Sequence, residues 1–166
     1  MMGDAWLEPE CFGHGLPSAV QAMIDAAGRA WHDEALAEAL LNDAARKAPD
    51  HAAVFIARYR FYFYKNRLEE ARAVARACLA KAARDNDLPE DWRMVKPGAL
   101  ASGDFDVLPR FYLFTLKGYA YLNMRLGDLA EGAQALAKLE ELDPRDQLGG
   151  SVLRGVLDRM GRDDDD

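Results

Sequence analysis

Two cysteines, three histidines and the two Glu-Glu pairs are the side chains here whose types invite chemistry. In Cys11-Phe12-Gly13-His14 a thiol and an imidazole stand three residues apart, a spacing at which both can touch one metal ion. Zinc takes four ligands in tetrahedral order, and the other histidines, His32 and His51, fall between separate helical segments. A metal-dependent enzyme, the third functional alternative, would need Cys11, His14 and a carboxylate in one pocket; the spacing favours incidental ligands on an N-terminal arm. Cys78 sits in a helical run of small residues, where a thiol is core packing. Glu69-Glu70 and Glu140-Glu141 could do acid–base work only if they converged on a pocket, and their helical frame puts them near solvent. Gly149-Gly150-Ser151 precedes a helix but lacks the rest of a phosphate loop, and reads as a turn with an N-cap. No catalytic, cofactor-binding or metal-binding residue is assigned, and the chain reads as a non-enzyme without a cofactor.

Of 166 residues, 50% are apolar and 30% charged, the balance of a globular domain. The 21 basic and 28 acidic side chains give a net charge of −7, four of the negatives being Asp163, Asp164, Asp165 and Asp166. That balance supplies no basic stripe for a phosphate backbone, so nucleic acid is not expected as a partner. Neither cysteine lies in a Cys-x-x-Cys pair, which fits a reducing compartment. The first fifteen residues lack the basic and apolar regions of an export signal, and no apolar run approaches the ~18 residues of a membrane span. A cytoplasmic protein with no membrane contact is the expectation.

What must position these side chains is a repeat. Ala37, Leu41, Ala44 and Pro49 are spaced by four, three and five residues. The same spacings recur at Ala71, Ala75, Cys78, Ala83 and at Gly132, Leu136, Leu139, Pro144. Ala37 and Ala71 are 34 residues apart; Ala71 and Gly132 are 61 apart, which is 34 with 27 added. Residues 84–110, rich in Pro, Gly and Asp, number 27 and are the insertion. Pro89, Pro97 and Pro109 interrupt helix there, yet Trp92, Met94, Val95, Leu100, Phe105 and Leu108 are too apolar for a solvated loop and should pack on the neighbouring hairpins.

Upstream of each ladder runs another helical segment: Val20 to Trp31, Val54 to Lys65 and Phe111 to Leu126. Between the members of each pair lie His32-Asp33, Asn66-Arg67 and Gly127-Asp128, turn residues that close one helix and open the next. The chain therefore divides into an arm at 1–16, a domain at 17–160 and an acidic tail at 161–166. The domain holds hairpins at about 18–51, 52–83 and 111–144, with a capping helix at 147–160. Phe55-to-Tyr64 alternates like a strand, but the frame makes it a helix, with Phe55, Tyr59 and Tyr62 on one side.

These ladders resemble the tetratricopeptide repeat family, whose pattern runs from a large aromatic to an Ala-Phe-Ala-Pro ladder. Ile24, Ala37, Leu41, Ala44 and Pro49 carry the likeness in the first hairpin. Phe55, Tyr62 and Ala71 carry it in the second, and Leu116, Ala120, Gly127, Gly132 and Pro144 in the third. The resemblance covers about 18–83 and 111–144 and implies an all-α, short solenoid of three helical hairpins, similar to three-repeat bacterial members of the family.

In such proteins the first helices line a concave groove. On this frame the groove residues are Arg29, Arg60, Phe63, Tyr64, Lys117, Tyr121, Met124 and Arg125, four cations and no acid. The resemblance implies a non-catalytic protein–protein interaction module, adaptor or chaperone-like, whose cationic aromatic groove holds an acidic or carboxylate-bearing segment of a client protein. Docking of heat-shock chaperone tails is disfavoured, because Ala22 and Ala26 stand where Lys and Asn are needed. The alternative is an accessory factor. Overall size is similar to type III secretion chaperones, and RFYLFTLKGYAYLNMRLGDLAEG resembles short repeat proteins accompanying nitrogen-fixation genes, which points to metalloenzyme assembly. A homo-oligomer remains open.

Overall fold

Small residues at helical spacing, broken by turn formers, yield helices and nothing else. The computed structural model describes residues 15–100 and 107–164, and these form α-helices, one 3₁₀ turn and no strand. The helices are α1 (Ser18–Arg29), α2 (Glu34–Lys47), α3 (Ala52–Tyr64), α4 (Leu68–Asp85), α5 (Val107–Arg125), α6 (Leu129–Leu142) and α7 (Gly150–Asp164); the 3₁₀ turn is Trp92–Met94. The aromatic run expected to be helical lies within α3. Two compact units divide the chain at Val74/Ala75, inside α4.

Three helices end in the same way. After α3, α4 and α5 a residue with positive φ turns the chain: Asn66 (59°), Asp87 (54°) and Gly127 (85°). In each, the amide one residue later reaches back to a carbonyl five residues before it, as Arg67 N to Tyr62 O (2.8 Å), Leu88 N to Ala83 O (2.8 Å) and Asp128 N to Asn123 O (2.8 Å). This six-to-one bond satisfies a carbonyl that the helix leaves open. The turn after α1 is built otherwise, with the Asp33 carboxylate accepting from Leu36 N as the cap of α2.

In the first unit α1 packs on α2 and α2 on α3. Val20, Ala44 and Val54 form a core cluster with Met23 and Ile24 against it, and Phe61 meets Trp31 edge-on at 5.6 Å. One carboxylate ties the elements together: Glu38 of α2 accepts from Tyr62 Oη (2.8 Å) and from both terminal nitrogens of Arg67 (3.0 and 2.8 Å).

The second unit is built around α5. From Phe111 to Met124 this helix is buried on every side except at Lys117 and Tyr121, the pattern of a helix enclosed by others. α6 approaches it at Ala120 and Gly132; a Cβ on Gly132 would lie 2.8 Å from Met124 Cγ and 3.1 Å from the Ala120 carbonyl oxygen. α7 packs on α6, as a capping helix should. Its start is Gly150, three residues after the expected 147, and it runs on to Asp164, past the expected 160. The non-proline rungs of all three ladders are buried, Ala37, Ala71, Leu136 and Leu139 completely.

The insertion departs from expectation at its edges. α5 begins at Val107, so Pro109 does not interrupt the helix; it occupies the first turn, where a missing N–H costs nothing. Trp92, Val95 and Leu100 are buried as expected, whereas Met94 (62% exposed) and Leu108 (49%) are not. Met94 ends the 3₁₀ turn, whose Trp92 goes inward, and Leu108 lies in the first turn of α5, ahead of that helix's buried stretch. Phe105 lies outside the described residues.

Two stability predictions arise here. Gly132→Leu must displace backbone as well as Met124, and should cost about 1–3 kcal/mol. Gly161→Ala, in α7 with nothing within 4 Å of the added Cβ, should gain up to about 1 kcal/mol from helix propensity. Equal melting temperatures for the two variants would refute the close crossing. In the first unit, the hydrogen bonds from Arg67 and then Tyr62 hold the Glu38 carboxyl below its ordinary value of 4.5. A depressed folded value means stability that is present above the ordinary glutamate range and lost as pH falls through the folded value. Glu38→Gln should therefore cost about 1 kcal/mol at neutral pH and flatten the acid limb of stability against pH, measured by urea melts.

Candidate protein-binding surfaces

Cys78, His51 and the paired glutamates, singled out for chemistry, are committed to structure. Cys78 is buried beside Thr115 Oγ1 (3.6 Å), and burial pushes its thiol up to about 12, far from a thiolate at neutral pH. Glu69 pairs with Arg72, Glu70 with Arg67, Glu140 with Arg154 and Glu141 with Lys138, all along helix surfaces. His51 caps α3, its Nδ1 accepting from Ala53 N at 3.1 Å. Among the described residues no three His, Cys, Asp or Glu side chains gather as metal ligands. Cys11 and His14 lie outside the described residues.

The Gly149-Gly150-Ser151 turn forms, with Gly149 at φ 76°, but Ser151 is not the cap. Asp146 is: its carboxylate accepts from Ser151 N (3.1 Å) and Ser151 Oγ (2.5 Å), and these bonds hold it below the ordinary aspartate range. The amides at the start of α7 thus already have an anion, supplied by the chain. Asp143, buried at 4% exposure, accepts from Gln147 N and Leu148 N and fixes the same loop.

Of the eight residues predicted to line a groove, four lie in the first unit. Arg29 is exposed in the last turn of α1. Arg60, Phe63 and Tyr64 share the C-terminal half of α3, where the Tyr59 and Phe63 rings stack at 5.9 Å and Phe63 meets Tyr64 edge-on at 5.5 Å. Tyr64 is 47% exposed, Arg60 and Phe63 half-buried.

The other four belong to α5, and two need correction. Met124 is 2% exposed. It lies under Gly132, on the side of α5 that meets α6, because the close crossing leaves that glycine's space to be filled by its side chain. It is no contact residue. Lys117 is half-buried and faces acids after all: burial lowers its pKa, and Asp146 and then Asp143 work against that fall. The frame of the first helices omitted them because both come from the α6–α7 connection. Lys117 thus has two carboxylates acting on it, which burial outweighs. Tyr121 and Arg125 remain at the surface, four residues apart, with Arg125 donating to Tyr121 Oη at 3.3 Å and its guanidinium 5.7 Å from that ring.

Two features escaped the sequence reading. One is the Glu38–Arg67–Tyr62 cluster, whose partners are up to 29 residues apart. The other is a cleft walled by α4, the 3₁₀ turn and α5, in which Trp92, already conspicuous as an aromatic in a loop, forms part of the floor.

No helix among the described residues is long and apolar enough to cross a membrane. No family model matches the chain, and no solved structure matches it. The chain is similar to a 19.8 kDa protein in the nifW 5′ region of Azotobacter chroococcum mcd 1, itself described as uncharacterised: the two are 39% identical over 126 residues, which cover 75% of this chain and 71% of that protein.

Proposed function

This chain belongs to the family of that nifW 5′-region protein, and on that premise we propose that it is a non-catalytic protein-binding module, adaptor or chaperone-like, built of tetratricopeptide-like hairpins. Burial of all three ladders supports the hairpin reading, since close helix pairs need a small residue at the first rung, here Ala37, Ala71 and Gly132. The observation that carries the function is on α3. Its core demand is met by Val54, Phe55, Phe61 and Tyr62, yet it holds three further rings, Tyr59, Phe63 and the outward Tyr64, in contact with one another beside Arg60. Rigid aromatics next to arginine are the side chains that anchor protein interfaces. The partner class is a polypeptide segment with acidic or carboxylate groups, read by Arg60.

A second reading, an accessory factor in metalloenzyme assembly such as nitrogen fixation, is favoured by the nif designation that the relative carries. The two readings are compatible: an assembly factor works by holding another protein.

Co-purification from the native cell, followed by mass spectrometry, identifies the partner. Arg60→Glu combined with Tyr64→Ala should then weaken it by more than tenfold, about 1.4 kcal/mol or more, measured by calorimetry. Arg145→Glu, an exposed reversal in the α6–α7 connection, should leave it within about twofold. The opposite pattern would move the binding surface away from α3. Raising ionic strength should weaken the complex only partly, because screening removes the charged contribution and spares the aromatic one.

A further inference from the structure

We propose that the cleft between α4, the 3₁₀ turn and α5 receives one large apolar side chain of a partner polypeptide, flanked in that partner by an acidic residue on the Arg76 side and a basic residue on the Glu90 side. It lies wholly in the second unit and is lined by Arg76, Leu79, Ala80, Glu90, Trp92 and Tyr119. Arg76, Leu79 and Ala80 stand at i, i+3 and i+4 on one face of α4, so a single helix face supplies floor and rim together.

Size limits the occupant. The cleft holds about 200 Å³, below the ~300–1,000 Å³ of sites that take cofactors and drug-sized ligands. One leucine-, phenylalanine- or tyrosine-sized group fits it. The floor is apolar and fixed: Leu79, Trp92 and Tyr119 are each 7% exposed or less. Tyr119 turns its polar tip away, its hydroxyl donating to Glu131 at 2.9 Å, and Glu131 also takes Arg93, whose guanidinium lies 4.2 Å from the Trp92 ring. What the tyrosine offers the cleft is therefore ring surface.

Charge sets the flanks. Arg76 and Glu90 are both exposed. Arg76 has its contact with the Tyr119 ring, at 5.9 Å, and neither side chain makes an ion pair among the described residues. An apolar floor with one uncompensated cation and one uncompensated anion at its rim matches a segment that carries an apolar anchor between opposite charges. The site goes beyond the α3 surface of the functional proposal and shares no residue with it.

The test is an NMR titration of the full chain, with the Trp92 indole N–H, assigned through Trp92→Phe, as reporter. The probes are acetyl-Asp-Phe-Lys-amide, acetyl-Lys-Phe-Asp-amide, acetyl-Asp-Ala-Lys-amide and free L-phenylalanine. One Phe tripeptide should shift the indole saturably and bind better than its reverse, and the Ala peptide should not shift it. Arg76→Glu should weaken the preferred peptide by about fivefold or more, and Arg76→Glu with Glu90→Arg should exchange which order is preferred. Arg60→Glu should leave the titration unchanged, so failure here and failure of the α3 surface are separately visible. The proposal is overturned by a flat titration with both Phe peptides, by an equal response to the Ala peptide, by an order preference that survives the double reversal, or by tighter binding of free L-phenylalanine, which would make the ligand a small molecule.

Discussion

The second unit depends on how closely α6 can approach α5. That distance is set at Gly132, where there is no room for even one carbon: the backbone of Ala120 and Met124 stands within 3.1–3.3 Å of the place a Cβ would occupy. With the helices at that separation, Glu131 reaches both the Tyr119 hydroxyl and Arg93, and Lys138 reaches the Val95 carbonyl at 2.6 Å. Those bonds hold the 3₁₀ turn and place Trp92 against Tyr119, with ring centroids 6.2 Å apart. A glycine in one helix thereby fixes the floor of a cleft formed by three other segments. Widening the crossing would lengthen the Glu131 and Lys138 contacts together, because both side chains are carried on α6.

A surplus of acid coexists with exposed cations because most of the carboxylates are spent locally. Glu38 takes Arg67 and Tyr62, Glu131 takes Arg93 and Tyr119, Glu140 takes Arg154, and Asp146 caps α7. Each such carboxylate joins two elements or closes one helix end, so its charge is matched within a few ångströms and contributes little to the distant field. Two of the cations at the surface, Arg29 and Arg125, sit in the last turns of α1 and α5, where the helix dipole also favours positive charge. Net charge therefore says little about which sign a given face presents.

Much of the scaffold was legible in the sequence, for a physical reason: spacing at four, three and five reports one face of a helix, and faces are what ladders bury. Ala37, Ala71 and Gly132 were readable as close contacts, Cys78 as core, and Asn66 and Gly127 as helix ends. The same logic fails where a side chain's neighbours arrive from outside its own helix. Met124 was assigned to a groove because it stands three residues after Tyr121, and the periodicity cannot say on which side α6 will lie. Lys117 was counted as uncompensated because Asp143 and Asp146 belong to a connection, whose return path no period describes. Asp87 closes α4 in the left-handed region as an aspartate can, yet it was hidden inside a stretch read as insertion. Phe61, the completely buried ring of α3, shares no face with Phe55, Tyr59 and Tyr62, because a second wall, Trp31, comes from the turn between α1 and α2.

The insertion carries core residues and solvent-facing ones side by side. Closing a longer loop costs little, about 0.6 kcal/mol for each doubling of its length, so 27 added residues are tolerated if part of the segment finds burial. Val95 at 0%, Trp92 and Leu100 supply it. These three need only to be apolar and of the right size, whereas Glu90, carried on the same segment, faces solvent, and Arg93 is held by Glu131 of α6. An insertion built this way keeps a fixed floor, while Glu90 at its rim can change charge without breaking a contact to α5 or α6.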